Sequence, residues 1–424
     1  MASPVRTLMS LPPLARRMFL GLLLSSLGSG LTLPFLFVYL TQVRGFATST
    51  VGLVMASTGV VAFATVPFFG SVIDRMGPRP VLLASLVLEA VGVTLVAEVR
   101  TVPQAFMLAA AIAAGGSGIW PAGAALLTRL VPEGLRQTAY GVQFMLLNAG
   151  LGIGGLVAAL IVDLHDASSF ERLYRIDGVT YLGYVVVVAL MPRGTGTYVP
   201  EPQTDDRPGG GWAEVLHDKT LVAVTAISAL AVTCGYAQME TGYAAYVVTV
   251  ARVDPKVLGV AYGANTAVIV LGQLVALRFL EGRSRTRMLA IAAAGWSSAW
   301  VVVALCGVVP GIWAAAAAVA GLGLFGAAET LWSPVAPALV NALAPERLRG
   351  RYNALSGMTW TVSSVVGPSV AGLLIGNGLA ALWVLVTVGG TACAALGFLA
   401  LGRRIGHRQD GVAPQVSVVG GVQD

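Results

Sequence analysis

The feature that most constrains this chain is a series of twelve apolar stretches of about 20 residues or more, separated by short polar segments. An α-helix of that length crosses the hydrocarbon core of a bilayer. Because a spanning backbone must satisfy its own hydrogen bonds, each stretch is predicted to form a transmembrane helix. The predicted helices lie at 18–43, 49–72, 79–98, 103–129, 136–162, 174–191, 219–249, 257–280, 287–309, 311–340, 350–375 and 379–402.

The composition also indicates an integral membrane protein. Charged residues make up 11% of the 424 residues, against about 25% in soluble domains. The net charge of +6 comes from bases scattered among short loops, which argues against a nucleic-acid-binding face. The three cysteines lie in apolar stretches without paired spacing, and the three histidines lie in separate polar segments. We therefore expect free thiols, no metal site and no cofactor.

The distribution of basic residues predicts the orientation, because cytoplasmic loops collect Lys and Arg. If the N-terminus is inside, 20 of the 26 bases fall in inside segments. Both termini are therefore predicted to be cytoplasmic, in a protein of the cell membrane. The first apolar stretch is too long for a signal-peptide core and is expected to be retained. The six bases that fall outside are Arg44, Arg100, Arg172, Arg175, Arg252 and Lys256.

A polar segment rich in Pro and Gly divides the twelve stretches into two groups of six. We expect residues 1–192 to form an N-terminal bundle, 193–218 a cytoplasmic linker and 219–402 a C-terminal bundle. A short helix at the membrane interface is predicted from Trp212 to Leu216. The tail, 403–424, is polar and is predicted to be disordered on the cytoplasmic side.

The two halves share residues at a constant offset of 213 positions, which indicates a duplicated six-helix unit. Two such units with both termini inside would be parallel repeats about an axis along the membrane normal. The matching pairs are Pro121 and Pro334, Leu126 and Leu339, Gly154 and Gly367, and the segments 132–136 and 345–349.

A charged hairpin between the second and third stretches is similar to a loop of major facilitator superfamily transporters. The residues that carry the resemblance are Gly70, Asp74, Arg75, Gly77 and Arg79, with departures at Pro78 and Pro80. The resemblance implies the all-α major facilitator fold and transport by alternating access. It also implies that Asp74 closes an inner gate against the start of the eleventh helix, where Arg349 and Arg351 add positive charge.

Two glycine-rich segments, Gly150–Gly155 and Gly321–Gly326, satisfy G-x-G-x-x-G. A dinucleotide site would need a βαβ unit, so close helix packing is the better interpretation. Drug–proton antiporters carry a similar glycine-rich motif with a central proline in the fifth helix. Gly150–Gly155 lacks that proline, while Gly367–Gly372 in the eleventh stretch resembles the motif more closely.

Acidic residues inside membrane spans are costly and usually functional. The candidates for proton coupling are Glu240, Glu329 and Glu89. The family resemblance implies that helices one, four, seven and ten line a central cavity, which favours Glu240 as the coupling acid, with Glu329 beside it, over Glu89. An interhelical hydrogen bond is the alternative role for each acid.

Aromatic and amide side chains near these acids are predicted to line the same cavity, with packing inside a bundle as the alternative for each. A regular helix would place residues 236, 240 and 243 on one face. Aromatic walls with one or two acids suit an amphipathic or cationic solute. The cavity candidates are Tyr39, Trp120, Tyr236, Gln238, Tyr243 and Trp332.

The sequence therefore predicts a secondary active transporter, in which protons drive the efflux of a small amphipathic organic molecule or drug. An uptake symporter or a uniporter for a polar solute is the first alternative, since one fold supports several functions. A membrane enzyme or a non-transporting receptor is an alternative of another class. The expected partners are the substrate, protons and the lipid bilayer, with the protein acting as a monomer, without enzymatic activity and without nucleic acid.

Overall fold

The computed structural model describes residues 8–9, 11–192, 194–195, 212–280, 282–345, 348–407 and 409–412, which are helical apart from short turns. Twelve long helical segments confirm the predicted all-α membrane fold. They are α1 (Pro13–Val43), α2 (Thr48–Met76), α3 (Pro78–Val96), α4 (Val102–Leu130), α5 (Glu133–Ile161), α6 (Ala167–Ala189), α7 (Lys219–Tyr243, with a last turn at Tyr246–Val250), α8 (Lys256–Leu280), α9 (Arg285–Leu305), α10 (Ile312–Leu343), α11 (Arg349–Gly376) and α12 (Ala380–Gly402).

Ten of the helices are long and apolar enough to cross a membrane by length and composition, and the other two are α6 and α8. Most predicted boundaries differ from the observed ones by a few residues. The exception is α6, which begins at Ala167 rather than at residue 174. Its first turns carry Glu171, Arg172 and Arg175, which hide the apolar signal at that end. Outside the helices, the linker residues 193 and 196–211 lie beyond the described part of the chain, and the short helix runs from Trp212 to His217.

The helices pack as two bundles with the same internal arrangement. In the first bundle α1 packs on α5 and α6, and α3 packs on α4 and α6. The second bundle repeats this arrangement, with α7 on α11 and α12, and α9 on α10 and α12. The paired Pro121 and Pro334 both lie inside helices, α4 and α10. These equivalences confirm the two six-helix pseudo-repeats.

The bundles touch each other through two helix pairs, α5 with α8 and α2 with α11, and glycines line both contacts. A Cβ on Gly52 of α2 would lie 2.6 Å from the Cα of Gly372 on α11. On the other side, a Cβ on Gly259 of α8 would meet the carbonyl oxygen of Gly155 on α5. Small residues thus allow the backbones to approach closely, as expected for helix packing in membranes.

Both glycine contacts lie near one face of the membrane-spanning region. Gly52 follows the start of α2 and Gly372 precedes the end of α11, while Gly155 is near the end of α5 and Gly259 near the start of α8. We call this the distal face. The terminal face is the opposite one, where α1 begins and α12 ends.

A cluster of ion pairs joins three chain segments of the N-terminal bundle at the distal face. Arg44 after α1 contacts Glu171 of α6 at 2.8 Å, and Arg100 after α3 contacts the same carboxylate at 3.4 Å. Arg175 of α6 donates a hydrogen bond of 2.8 Å to Glu98. That hydrogen bond holds the pKa of the Glu98 carboxyl below its ordinary value, so this acid stays charged at neutral pH. These arginines are therefore locally paired.

The described part of the tail is folded rather than disordered, which corrects the prediction for residues 403–407 and 409–412. Asp410 accepts a hydrogen bond of 2.8 Å from the backbone N–H of Thr286 and another from the Ser284 hydroxyl, at the start of α9. The Arg285 backbone N–H donates to the Asp410 carbonyl at 2.8 Å. The first N–H groups of a helix lack partners within the helix. A polar tail supplies those partners here.

Candidate transport site

Helix α7 breaks at Gly235, directly before the residues predicted to line the cavity. The backbone there has φ −98° and ψ −87°, and a 3-10 turn over Tyr236–Gln238 and a π-helical turn over Met239–Tyr243 follow. A Cβ on Gly235 would lie 2.7 Å from the ring of Trp296, so glycine allows the close contact. Such interruptions are frequent at functional sites.

Gln238 stabilises this break and does not line the cavity, which corrects its predicted role. Its amide nitrogen donates to the carbonyl oxygens of Thr233 at 2.8 Å and Gly367 at 3.3 Å. Its amide oxygen accepts from the Trp383 indole N–H at 2.8 Å. The side chain is 1% exposed, and it replaces hydrogen bonds that the irregular backbone has lost.

The prediction that residues 236, 240 and 243 share one face was wrong, because it assumed a regular α-helix. Tyr243 is fully buried, and its hydroxyl donates to the Ala318 carbonyl of α10 at 3.2 Å. It is therefore a packing residue of the C-terminal bundle. Glu240, on the same π-helical turn, is exposed instead. A π-helical turn changes the relation between positions i and i+3.

A cavity of about 340 Å³ lies in the C-terminal bundle between α10 and α11. Glu329 contributes to its wall, and the aromatic side chains Tyr236, Trp332 and Trp360 also line it. Asn353 adds an amide group towards the terminal face. Tyr236 packs edge-on against Trp360, with ring centroids 4.8 Å apart. The structure therefore brings three of the predicted residues, Tyr236, Glu329 and Trp332, to one cavity.

The carboxyl group of Glu329 is the polar centre of this cavity. The residue is 8% exposed, and the hydroxyl of Tyr236 donates a hydrogen bond to its carboxylate. Tyr236 also interacts electrostatically with Glu240. Among the described residues neither acid forms a salt bridge. The charge of an ionised Glu329 is therefore not neutralised by any described basic side chain.

Two further acids are buried in the N-terminal bundle, away from this cavity. Glu89 of α3 is 7% exposed, and its Oε2 atom has no hydrogen-bond partner among the described residues. Asp177 of α6 is 1% exposed and accepts a hydrogen bond of 2.7 Å from Thr32. Asp177 is not among the acids predicted from the sequence, although its place inside an apolar stretch is the same signal that indicated the other three.

The two cavity candidates of the N-terminal bundle are in different environments. Tyr39 is fully buried, and its hydroxyl donates to the Ala97 carbonyl at 3.0 Å while its ring stacks on Phe170. Its predicted place on a cavity wall was wrong, because the irregular end of α1 turns it between α3 and α6. Trp120 of α4 is 58% exposed and remains a candidate for a cavity wall.

The loop between α2 and α3 joins the end of one helix to the start of the next. Gly77 has φ +83°, a conformation that favours glycine, and Pro78 begins α3. Arg79 donates to three carbonyl oxygens at the end of α6, those of Pro192, Ala189 and Met191, at 2.8, 3.0 and 2.8 Å. Arg75 is exposed. The side chains of Asp74 and Arg349 lie outside the described part of the structure.

Two pseudo-equivalent six-helix bundles joined by close helix contacts, with a cavity in the C-terminal bundle, are the architecture of a multi-pass membrane transporter. The chain belongs to the Major Facilitator Superfamily, whose family model matches residues 18–328.

Sequence similarity to known transporters extends over most of the chain in one relative and over less than half of it in another. The uncharacterized MFS-type transporter YqjV of Bacillus subtilis (strain 168) is 22% identical over 397 residues, which cover 92% of this chain and 94% of that protein. The multidrug resistance protein MdtG of Enterobacter lignolyticus (strain SCF1) is 26% identical over 189 residues, 44% of each protein. A solved peptide transporter POT in complex with sulfate has the same fold, with a TM-score of 0.76, 15% identity, and coverage of 97% of this chain and 100% of that one.

Proposed function

We propose that this transporter exports a small amphipathic organic molecule in exchange for protons. The observation that carries the proposal is Glu329, a buried acid without a basic partner among the described residues, in a cavity lined by Tyr236, Trp332 and Trp360. Aromatic walls provide apolar contact area and a favourable surface for cationic groups. The carboxyl group then provides the one site where a proton and a substrate compete.

The coupling follows from the cost of an isolated charge in an apolar environment. An ionised Glu329 attracts either a proton or a cationic substrate group, and binding of one opposes binding of the other. Glu240 interacts electrostatically with Tyr236 and is exposed, and we assign it the role of passing protons to or from this site. The related MdtG is named for multidrug resistance, which supports an amphipathic substrate, although the match covers 44% of each protein.

The orientation and the gate belong to the same proposal. With the terminal face cytoplasmic, as the basic residues favour, the contacts between bundles at the distal face close the external side. The cavity residues of α10 and α11 then lie towards the cytoplasm, which corresponds to an inward-facing conformation of a plasma-membrane protein. Asp74 would contact the start of α11 in the alternate conformation, as the family loop implies, with a single chain as the working unit.

The proposal is tested by substrate flux in proteoliposomes with an imposed pH gradient. A panel of cationic, neutral and anionic amphipathic compounds is compared, and we expect uphill transport of cationic or neutral members that collapses when the gradient is dissipated. Glu329→Gln should reduce uphill transport about tenfold or more, because the neutral amide cannot exchange a proton. Counterflow, which needs no net proton movement, should survive in that variant.

Glu240→Gln and Glu89→Gln are the matched variants. Glu240→Gln is expected to slow coupled transport, and Glu89→Gln, a buried acid in the other bundle, to preserve it. If Glu329→Gln drives uphill transport like the parent, Glu329 is not the coupling acid. Transport that ignores the gradient in the parent protein would instead indicate a uniporter.

A further inference from the structure

A second cavity, of about 750 Å³, lies at the terminal face where the start of α9 meets the end of α12. It is separate from the cavity of Glu329, with which it shares no lining residue. Three arginines and one histidine contribute to its wall, and they are Arg283, Arg287, Arg403 and His407.

The positive charge of this cavity is not balanced within the described part of the chain. Arg283, Arg287 and Arg403 are exposed and form no salt bridge with a described carboxylate. Asp410 is the one carboxylate among the described lining residues, and hydrogen bonds from Ser284 and Thr286 occupy its oxygens. Arg283 lies over the ring of Phe279, 3.9 Å from its centroid. An anionic group would therefore find three available guanidinium groups.

Apolar side chains continue the cavity towards the middle of the bilayer. Ile291 lies one helical turn beyond Arg287 on α9, and Leu399 lies one turn before Arg403 on α12. Both line the cavity, and they are 47% and 49% exposed. A turn of helix is about 5.4 Å, so Arg287 and Arg403 each have an exposed apolar side chain one turn farther from the terminal face.

We propose that this cavity binds an anionic phospholipid. The phosphate group contacts Arg283, Arg287 and Arg403, and an acyl chain lies along Ile291 and Leu399. Basic pockets between transmembrane helices are suited to acidic lipid head groups, and the paired order of basic and apolar residues on both helices favours a lipid over a free phosphate. The proposal is independent of the transported substrate and of proton coupling.

The experiment measures binding of dioctanoyl phosphatidylglycerol to the purified full-length protein by native mass spectrometry and by the melting temperature in detergent. Dioctanoyl phosphatidylcholine and glycerol phosphate are the comparison ligands. We expect retained phosphatidylglycerol and a raised melting temperature with that lipid alone. Arg287→Gln combined with Arg403→Gln should weaken binding about thirty-fold, because each basic residue near an anionic head group is worth about 1 kcal/mol and 1.4 kcal/mol is a factor of ten.

The matched control is Arg172→Gln combined with Lys256→Gln, which removes the same charge from exposed positions at the distal face. This variant should bind phosphatidylglycerol like the parent. Equal protection by glycerol phosphate would contradict the lipid assignment and indicate a free-phosphate site. Equal binding of phosphatidylcholine, or equal loss of binding in the two double variants, would also overturn the proposal.

Discussion

At the scale of single residues, the sequence identified acids well and their neighbours poorly. Glu329 could be predicted because an acid in an apolar stretch is conspicuous, and Tyr236 and Trp332 do share its cavity. Gln238 and Tyr243 could not be assigned, because their roles depend on the break at Gly235 and on hydrogen bonds to the Gly367 and Ala318 carbonyls. Sequence spacing carries no information about partners 75 or 129 positions away.

Arg79 provides a prediction about stability. Arg79→Gln should lower the free energy of unfolding by about 1–2 kcal/mol, because it removes charged hydrogen bonds to three carbonyl oxygens at the end of α6. Thermal unfolding of the purified protein measures the effect, with Arg75→Gln, an exposed residue of the same loop, as the control. An unchanged melting temperature for Arg79→Gln would show that this contact contributes nothing to stability.

Asp74→Asn should leave the melting temperature unchanged and reduce transport.

At the scale of elements, apolar length was sufficient to place all twelve helices, because the bilayer fixes the length of each span. It was insufficient where a helix is irregular, as at the end of α1 and in the second half of α7. The glycine-rich segment of α5 was correctly interpreted as a packing surface. The structure adds that its glycines serve two partners, with Gly154 towards α1 and Gly155 towards α8.

The contact between α5 and α8 predicts how a larger side chain would shift the conformational equilibrium. Gly259→Leu should separate the two helices at the distal face, because a side chain there meets the α5 backbone. Overpacking costs about 1–3 kcal/mol, which changes a two-state ratio about 5- to 150-fold. Spin-label distances between the distal ends of α5 and α8 should increase, and transport should fall. Gly141→Leu on α5, where a Cβ meets nothing within 4 Å, is the control, and an unchanged distance in Gly259→Leu would refute the expectation.

At the scale of the whole molecule, the duplicated architecture followed from sequence because matching prolines and glycines recur at one offset. The arrangement of the two bundles could not be predicted from the sequence, because nothing in it indicates which ends of α2, α5, α8 and α11 meet. The folded tail was also missed, because polar composition does not show that a carboxylate will find the start of α9.

The orientation of the molecule is a prediction that topology reporters can test. Fusions after Gly45 or Pro310 should report the external side, and fusions at Thr204 or at the C-terminus the cytoplasmic side. If the distal face is external, the ion pairs of Arg44, Arg100 and Arg175 explain how basic residues are tolerated there. A cytoplasmic signal from the loop between α5 and α6 would contradict the arrangement.

Equivalent helix pairs of the two bundles are linked at the terminal face, by a donor side chain in one bundle and by an acceptor side chain in the other. In the first, Arg79 at the start of the third helix donates to carbonyl oxygens just after the sixth. In the second, Asp410, just after the twelfth helix, accepts from N–H and hydroxyl groups at the start of the ninth. These hydrogen bonds link α3 to the end of α6 in the first bundle and α9 to the segment after α12 in the second. Because each of these contacts strengthens the interior of one bundle, we expect the two bundles to move as rigid bodies about the glycine contacts of α2 with α11 and α5 with α8. Little bending is expected inside either bundle.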